Sequence, residues 1–209
     1  TDTGHAAGDY IAEQFAAAGL QPAGDNGTYF QGFPLYSVQL DRVPQVTITS
    51  PDGVVHDDYE LYSDYTPLVF RYAGAGAAAG EIIWVNQCHS DDFAQINVVD
   101  KIVLCQPEFS FQATRAALEH GAAALLLLLD PANPMDRGLP FQEPWVPDEL
   151  VLPTLRITTE MANDLLRGSG RTATDLSLIS TPFVTGGSLN LEVNIASVCG
   201  LATCEGRNI

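Results

Sequence analysis

The stretch that most constrains the fold lies between residues 98 and 129, where two apolar segments flank a helix-like one. Residues 102–105 (Ile-Val-Leu-Cys) are apolar and begin with β-branched side chains, which predicts a buried strand. The next segment places Phe111, Leu118 and several alanines on one face at helical spacing, and Gly121 supplies a stop. Residues 122–129 are apolar throughout, so we expect a second buried strand.

Strand, helix and strand in about thirty residues form a βαβ unit with a right-handed crossover. Strands that are apolar on both faces have to be covered on both faces, so this unit should lie at the centre of a domain. The alternative is one long buried helix over residues 114–129, in which Gly121 would cost about 1 kcal/mol.

The charge balance restricts the partners of the chain. Its 209 residues include 9 basic and 26 acidic ones, for a net charge of −17. A charge of this sign disfavours nucleic acid or an anionic membrane as a partner. No segment reaches the ~20 apolar residues of a membrane span. The acidic residues either solvate the surface or attract cationic groups such as peptide amines, and both interpretations stay open.

Four cysteines, at positions 88, 105, 199 and 204, form no C-x-x-C pair, so the spacing of a zinc ribbon or a redox motif is absent. Cys199 and Cys204 are close enough in sequence to close a small loop as a disulfide, which would indicate an oxidising compartment. Cys105 falls in the apolar strand, and we expect it to be a buried thiol.

In the first part of the chain, residues 4–22 predict an amphipathic helix that Gly19 stops. Asn26-Gly27 predicts a tight turn. Asn26-Gly27-Thr28 is also a glycosylation sequon, although a turn explains it. Residues 38–49 alternate apolar and polar side chains and are followed by the turn sequence Ser-Pro-Asp-Gly at 50–53, which predicts an antiparallel hairpin.

Two segments further on are expected to lie outside the core. Residues 59–70, rich in aromatic and acidic side chains, should lie at the surface. Residues 73–80 consist only of glycine and alanine and predict a flexible connection.

In the last part, a proline-rich loop at residues 131–153 is long for a pure connection, and such length is often functional. Thr158 or Thr159 is predicted to cap a helix that contains Glu160 in its first turn. The remaining predicted elements are strands at residues 152–157, 176–179 and 188–198, with another opening at residue 208.

One cluster of side chains could carry chemistry, namely Cys-His-Ser-Asp-Asp at residues 88–92. His89 and Asp91 in it are candidate metal ligands, and the alternative is a polar loop between strands. The sequence contains no H-E-x-x-H, G-x-S-x-G, P-loop or G-x-G-x-x-G motif, so no residue is assigned a catalytic role.

The order of several segments resembles the protease-associated domain of a co-catalytic, di-zinc aminopeptidase of the peptidase family 28 type. The segments that carry the resemblance are Gly-Glu-Ile-Ile-Trp-Val at 80–85, Asp-Phe at 92–93, Val-Asp-Lys-Ile-Val-Leu at 99–104, Gly-Ala-Ala-Ala-Leu-Leu at 121–126 and Leu-Pro-Thr-Leu-Arg-Ile at 152–157. One departure is Asp100, where the family usually has glycine.

A second set of segments is similar to the parts of the peptidase domain on either side of that insertion. They are Tyr-Ile-Ala at 10–12, Gly-Leu-Gln-Pro-Ala-Gly-Asp at 19–25, Gly-Thr-Tyr-Phe-Gln at 27–31 and Arg-Asn-Ile at 207–209. In the family the last of these precedes the first His-x-Asp zinc motif. The resemblance therefore implies that the zinc ligands and the glutamate base lie beyond Ile209, and that this chain is truncated before the catalytic domain.

The resemblance implies an α+β fold, with a small mixed sheet or open barrel around the βαβ unit and two flanking helices. An N-terminal helix and terminal strands would belong to the peptidase domain. The implied organisation is a peptidase segment at 1–40, connecting strands at 41–64, the protease-associated domain at 65–182 and a return strand at 183–209.

The function implied is that of a non-catalytic lid or interaction module of a secreted enzyme, located outside the cell or in the cell envelope. Its partners would be the missing peptidase domain and peptide or protein substrates, with the loop residues Phe141 and Trp145 as contacts. The chain itself would hold no cofactor, and two zinc ions would belong to the catalytic domain. Two alternatives stay open: a free-standing peptide- or glycan-binding or sorting module, and a small metal-dependent hydrolase built on residues 88–92.

Overall fold

The computed structural model describes residues 2–34, 37–128, 151–198 and 205–208. The chain divides into two compact units. The first, here called the end unit, consists of Thr1–Ser37, Phe141–Pro144 and Ser197–Ile209. The second, the sheet unit, consists of Val38–Pro140 and Trp145–Ala196.

The described strands, in chain order, are β1 (Gln31–Pro34), β2 (Ser37–Leu40), β3 (Gln45–Thr49), β4 (Val55–His56), β5 (Tyr65–Pro67), β6 (Ala73–Gly74), β7 (Gly76–Trp84), β8 (Ile102–Cys105), β9 (Ala124–Leu128), β10 (Leu152–Ile157), β11 (Phe183–Val193), β12 (Ile195–Val198) and β13 (Glu205–Asn208). The helices are α1 (Asp2–Ala17), α2 (Ser90–Phe93), α3 (Ser110–Glu119), α4 (Thr159–Leu166) and α5 (Ala173–Leu176). Strands β2 and β12 form a separate two-stranded sheet.

The end unit contains the predicted N-terminal helix and the predicted tight turn. Helix α1 ends at Ala17, and Gly19 follows with a φ of 78°, a left-handed conformation that glycine adopts without steric cost. Asn26 and Gly27 have φ values of 52° and 73°, which confirms the predicted turn. Strand β1 then pairs with β13 in antiparallel register, with Gln31 opposite Asn208.

The sheet unit is built on a mixed nine-stranded sheet with the order β4-β3-β11-β7-β8-β9-β10-β5, and β6 pairs beside β10. Strands β7, β8, β9 and β10 are mutually parallel. Strand β11 pairs with β7 in antiparallel direction and β5 pairs with β10 in the same way. The predicted hairpin is present as β3 and β4, joined by a turn in which the Gly53 amide donates to the Ser50 carbonyl at 2.8 Å.

Side chains on the parallel strands point alternately into two cores, one on each face of the sheet. In β8, Ile102 and Leu104 belong to the first core, which helices α4 and α5 cover. Val103 and Cys105 belong to the second core, which includes residues of α2 and α3. All four residues of β8 and all five of β9 are buried. The sequence runs that looked apolar on both faces are therefore covered on both faces, as predicted.

The central βαβ unit is confirmed as β8, α3 and β9, which excludes one long helix over residues 114–129. Gly121 has a φ of 78° and ends the helical segment. The buried side of α3 consists of Ala113, Thr114, Ala116 and Ala117. Phe111 was expected on that side, but it is exposed, because its ring lies beside those of Tyr72 and Phe70 and outside the second core.

Two further predictions from the second half are confirmed. Strand β10 has the predicted bounds, Leu152–Ile157. The Thr158 hydroxyl accepts a hydrogen bond from the Met161 amide at 3.3 Å and so caps α4.

Three local predictions are wrong. The Gly/Ala segment 73–80 is not a flexible connection but forms β6 and the first half of β7, because β10 and β11 provide its hydrogen-bond partners. Residues 176–179 do not form a strand. Instead, α5 ends at Leu176, and Thr172 and Asp175 form a capping box at its start. Residues 59–70 do not all lie at the surface as predicted, because residues 65–69 are buried.

The position where the resemblance implied glycine has a left-handed backbone. Asp100 has a φ of 57°, and its amide donates to the Gly121 carbonyl at 2.9 Å. Aspartate is among the non-glycine residues that tolerate this conformation best, because its short side chain bonds locally. The substitution therefore preserves the turn before β8.

Two buried threonines of the sheet unit, Thr66 and Thr154, differ in the hydrogen bonding of their hydroxyl groups, so we expect opposite effects on stability when each is replaced by valine. Among the described residues, Thr66 Oγ1 is buried without a hydrogen-bond partner, whereas Thr154 Oγ1 donates to the Leu152 carbonyl at 2.9 Å. Thr66→Val removes an unsatisfied buried group and should raise the free energy of unfolding by about 1 kcal/mol. Thr154→Val removes a satisfied group and should lower it by about 1 kcal/mol. Urea unfolding of both variants measures the difference, and equal destabilisation would contradict the assignment.

Candidate functional site

The carboxyl ends of the four parallel strands meet at one edge of the sheet, where open α/β sheets generally bind their ligands. Strand β7 ends at Trp84, β8 at Cys105, β9 at Leu128 and β10 at Ile157. The cluster at residues 88–92 follows β7 at this edge. A ligand of this sheet would therefore be expected to bind at this edge.

A disulfide between Cys88 and Cys105 joins the loop after β7 to the end of β8. Their Cα atoms are 6.0 Å apart, and both residues are buried. The expectation of a free Cys105 thiol is therefore wrong. Sequence could not select this pair, because four cysteines allow three pairings and only the fold places β7 beside β8. The predicted pair Cys199 and Cys204 lies outside the described residues.

Hydrogen bonds hold the loop that follows β7, which contains Cys88, against the end of β8. The Gln106 amide donates to the Asn86 carbonyl at 2.9 Å, and the Cys88 amide donates to the Val85 carbonyl at 2.8 Å. Asn86 and Cys88 have left-handed φ values of 40° and 58°. Non-glycine residues keep this conformation only where the surrounding structure imposes it. The disulfide and these hydrogen bonds therefore hold the corner in this conformation.

The carboxylate of Asp92 is used to hold this corner together. Its Oδ1 accepts from Asn86 Nδ2 at 3.1 Å, and its Oδ2 accepts from the His89 amide at 3.0 Å. Asp92 is only 9% exposed, so its oxygens face the protein. The capping interaction at the start of α2 gives this aspartate a structural function.

The two candidate metal ligands, His89 and Asp91, are exposed side chains on either side of Ser90. Within the described parts of the chain, no group of three or more His, Cys, Asp or Glu side chains could hold a metal ion. A zinc site normally takes at least three protein ligands. With Cys88 in a disulfide and Asp92 hydrogen bonded, the cluster supplies no third ligand.

Aromatic residues gather at the first turn of α3 and are here called the aromatic patch: Phe70, Tyr72 and Phe111, whose rings lie close together, and Phe109, which is exposed and precedes the helix. The Phe111 ring centroid lies 5.1 Å from that of Tyr72 and 6.2 Å from that of Phe70. Phe109 is 56% and Phe111 44% exposed, so this patch presents apolar surface to solvent. The predicted contact residues Phe141 and Trp145 lie outside the described residues.

A shallow groove of about 670 Å³ lies on the antiparallel part of the sheet. Its walls come from β3, β7 and β11 and include the side chains of Thr47, Thr49, Ala79, Glu81, Ser188 and Asn190. These residues alternate with those of the first core, so the groove is the opposite face of the sheet. Most of these side chains are short, and the longer Glu81 lies 3.3 Å from Lys101 Nζ through its Oε2.

Ser50, His56 and Asp164 form a constellation that sequence analysis did not find. His56 Nε2 lies 3.1 Å from Ser50 Oγ, and His56 Nδ1 lies 3.9 Å from Asp164 Oδ2. The Ser50 hydroxyl donates to the Asp164 carbonyl at 2.7 Å, so its one proton is directed there and not at His56. Ser50 is also only 3% exposed. A nucleophile needs access to substrate, and the burial of Ser50 denies it that access.

This constellation instead fastens the β3–β4 hairpin to α4. Tyr59 donates its hydroxyl to Asp164 Oδ2 at 2.9 Å, and burial together with that carboxylate raises the pKa of Tyr59. Arg167 Nε lies 3.1 Å from Asp52 Oδ2 in the same region. The partners are more than a hundred residues apart in sequence, which is why no local motif marks them.

Comparisons with known proteins define the fold. No family model matches the chain, and no curated protein matches it. A solved aminopeptidase from Aneurinibacillus sp. strain AM-1 is similar, with a TM-score of 0.59 and 15% identity over 95% of this chain and 40% of that chain. The likeness is one of fold.

Two other similar structures are a zinc aminopeptidase, BSAP, from Bacillus subtilis and a peptidase M28 precursor from Shewanella amazonensis. The first has a TM-score of 0.44 and 12% identity over 85% of this chain and 34% of that chain. The second has a TM-score of 0.43 and 13% identity over 96% of this chain and 42% of that chain. The chain spans less than half the length of each of these structures.

The disulfide at the carboxyl edge should contribute measurably to stability. It closes a loop with a sequence separation of 17 residues. A loop of about this length corresponds to roughly 3 kcal/mol in the chain-entropy account. A reductant should therefore lower the free energy of unfolding of the wild-type chain by about 3 kcal/mol. It should leave the double variant Cys88→Ala/Cys105→Ala unchanged.

The matched control is Cys199→Ala/Cys204→Ala, which removes the other two cysteines. Urea unfolding of this control should keep the full effect of reductant. Loss of the effect in this control would show that the stabilising bridge lies elsewhere.

Proposed function

We propose that this chain is the non-catalytic protease-associated part of a secreted zinc aminopeptidase, where it acts as a lid or as a docking surface for peptide substrates. The observation that carries the proposal is the likeness in fold to the Aneurinibacillus aminopeptidase, which extends over 95% of this chain but 40% of that one. The proposed domain is residues 65–182, connected through residues 41–64. Residues 1–40 and 183–209 are the proposed adjoining segments of a peptidase domain.

The pairing of β1 with β13 supports the idea of an insertion. Gln31 lies opposite Asn208 and Pro34 opposite Glu205, so the chain leaves the end unit and later returns to the same small sheet. An inserted domain has this topology, because its two ends must be close together in the host domain.

The described residues do not offer a site for a zinc ion. The two zinc ions that the resemblance implies would be held by the peptidase domain, which is the proposed partner of this chain. Since the Cys88–Asp92 cluster lacks a third ligand, these observations count against a small metal-dependent hydrolase.

Substrate contact is assigned to aromatic side chains. Phe141 and Trp145 are the proposed contacts of the long loop, and the aromatic patch provides exposed rings in the described part of the sheet unit. Aromatic side chains dominate the energetics of many interfaces because they bury large areas with few rotatable bonds.

The proposed location is outside the cell or in the cell envelope. The buried Cys88–Cys105 disulfide supports it, because structural disulfides form and persist in oxidising compartments. In the described part of the chain, no helix is long and apolar enough to cross a membrane.

A free-standing module that binds peptides or glycans is the second candidate function. The groove on β3, β7 and β11 favours it, since that face carries hydroxyl and amide groups and no helix residue is among those that line it. This candidate requires a ligand for the chain alone, whereas the first requires a peptidase domain beside it.

The proposed function predicts a substrate-dependent effect of Phe141→Ala/Trp145→Ala in a protein that joins this chain to a zinc peptidase domain. The double variant should raise KM several-fold for long peptides and should change it little for a leucine anilide, because only a long substrate reaches a lid or docking surface. Steady-state kinetics on both substrates measures the difference. An equal effect on both substrates would contradict a role in substrate access.

Two controls accompany this experiment. Leu178→Ala removes an apolar side chain that is 83% exposed elsewhere on the sheet unit and should leave both KM values unchanged. The 209-residue chain alone should contain no stoichiometric zinc and should not cleave the leucine anilide. Bound zinc with cleavage that His89→Ala/Asp91→Ala abolishes would refute the non-catalytic assignment.

A further inference from the structure

At the turn formed by Asn26 and Gly27, the side-chain amide of Asn26 is exposed and the space around Gly27 is open. Asn26 is exposed, and in the described part of the chain no hydrogen bond, ion pair or ring contact involves its side chain. A Cβ placed on Gly27 would meet no atom within 4 Å, so the space around this residue is open. Asn26 is also the only asparagine in the chain that glycine follows.

These are the conditions under which an asparagine deamidates without an enzyme. The Gly27 backbone nitrogen forms a bond to Asn26 Cγ and loses its proton, the Cγ–Nδ2 bond breaks, and ammonia leaves. Water then opens the resulting five-membered imide at one of its two carbonyls, which yields aspartate or isoaspartate. Glycine permits the reaction best because it has no side chain that blocks the approach. Asparagine is correspondingly counted among the thermolabile residues.

We propose that Asn26 is a site of spontaneous deamidation, and that its isoaspartate product loosens the pairing of β1 with β13. The step needs only water as a co-reactant.

The consequence for the end unit follows from the hydrogen bonds around the turn. The Gly24 amide donates to the Thr28 carbonyl and the Asp25 amide donates to the Phe30 carbonyl, both at 2.7 Å. The Gly32 amide, inside β1, donates to Asp25 Oδ2 at 2.6 Å. Isoaspartate adds a carbon to the backbone between these bonds and places a new carboxylate next to Asp25. Both changes disturb the turn from which β1 begins.

The glycosylation sequon formed by Asn26, Gly27 and Thr28 is a competing use of the same amide. In the folded chain the Thr28 hydroxyl is occupied, since it donates to the Asp25 carbonyl at 2.8 Å and accepts from the Phe30 amide at 3.1 Å. Recognition of the sequon would have to precede folding. Deamidation requires no such recognition, only a rotation about the Cα–C bond of Asn26, whose ψ of 28° directs the Gly27 nitrogen away from Cγ.

The test is incubation of the purified full chain at mildly alkaline pH, followed by peptide mapping with mass spectrometry. The peptide containing Asn26 should gain the mass of an amide-to-acid exchange and separate into aspartate and isoaspartate forms. The exposed residues Asn97 and Asn190, which precede valine and leucine, are internal controls and should change several-fold more slowly. Asn26→Gln should abolish the modification at this position. Equal rates at the three asparagines, or an unchanged Asn26, would overturn the proposal.

A second measurement separates the added charge from the added backbone atom. Asn26→Asp carries the new carboxylate on an ordinary backbone and is the matched variant. Amide hydrogen exchange at Gly32 and Phe33 should be faster in the aged wild-type chain than in Asn26→Asp. Equal exchange in the two samples would refute the structural consequence.

Discussion

The sheet unit depends on strands that are buried on both faces. Ile102 to Cys105 and Ala124 to Leu128 have no exposed side, so each needs a core above and a core below. Helix α3 meets one side with alanines, and α4 and α5 meet the other with Met161, Leu165 and Leu176. The helices cover the four parallel strands at the centre of the sheet. Antiparallel strands extend the sheet on both sides, with β11, β3 and β4 beyond β7 and β5 beyond β10.

Individual covalent and hydrogen-bond links fasten the periphery of the sheet unit. The Cys88–Cys105 disulfide and the Asp92 carboxylate hold the carboxyl edge, and Ser50, with its bond to the Asp164 carbonyl, holds the hairpin. Each of these groups would attract attention as a nucleophile or a ligand in an active site. Here each of them has a structural partner within the sheet unit.

Sequence predicted the elements whose signal is local. The βαβ unit, strand β10 and the Thr158 cap have periodicity or capping residues that decide the structure within a few positions. The failures depend on distant partners: residues 73–80 have weak strand propensity, but β10 and β11 pair with them, and Cys105 finds Cys88 only once β7 lies beside β8. The hydrogen bond from Ser50 to Asp164 in α4 could not be predicted either, because the two residues are far apart in sequence. Asp100 is a different case. The resemblance to a family that usually has glycine at this position indicated a turn, and Asp100 has the left-handed φ that such a turn requires.

We expect the sheet unit, which contains the proposed domain at residues 65–182, to fold independently of the two ends of the chain. The most direct test is to express residues 38–196 alone and to follow urea unfolding by circular dichroism and by tryptophan fluorescence, since Trp84 is buried in the first core. We expect one cooperative transition with coincident midpoints and an intact Cys88–Cys105 disulfide. A fragment without a cooperative transition, or with scrambled cysteines, would contradict the claim and would make the end unit part of the same folding unit.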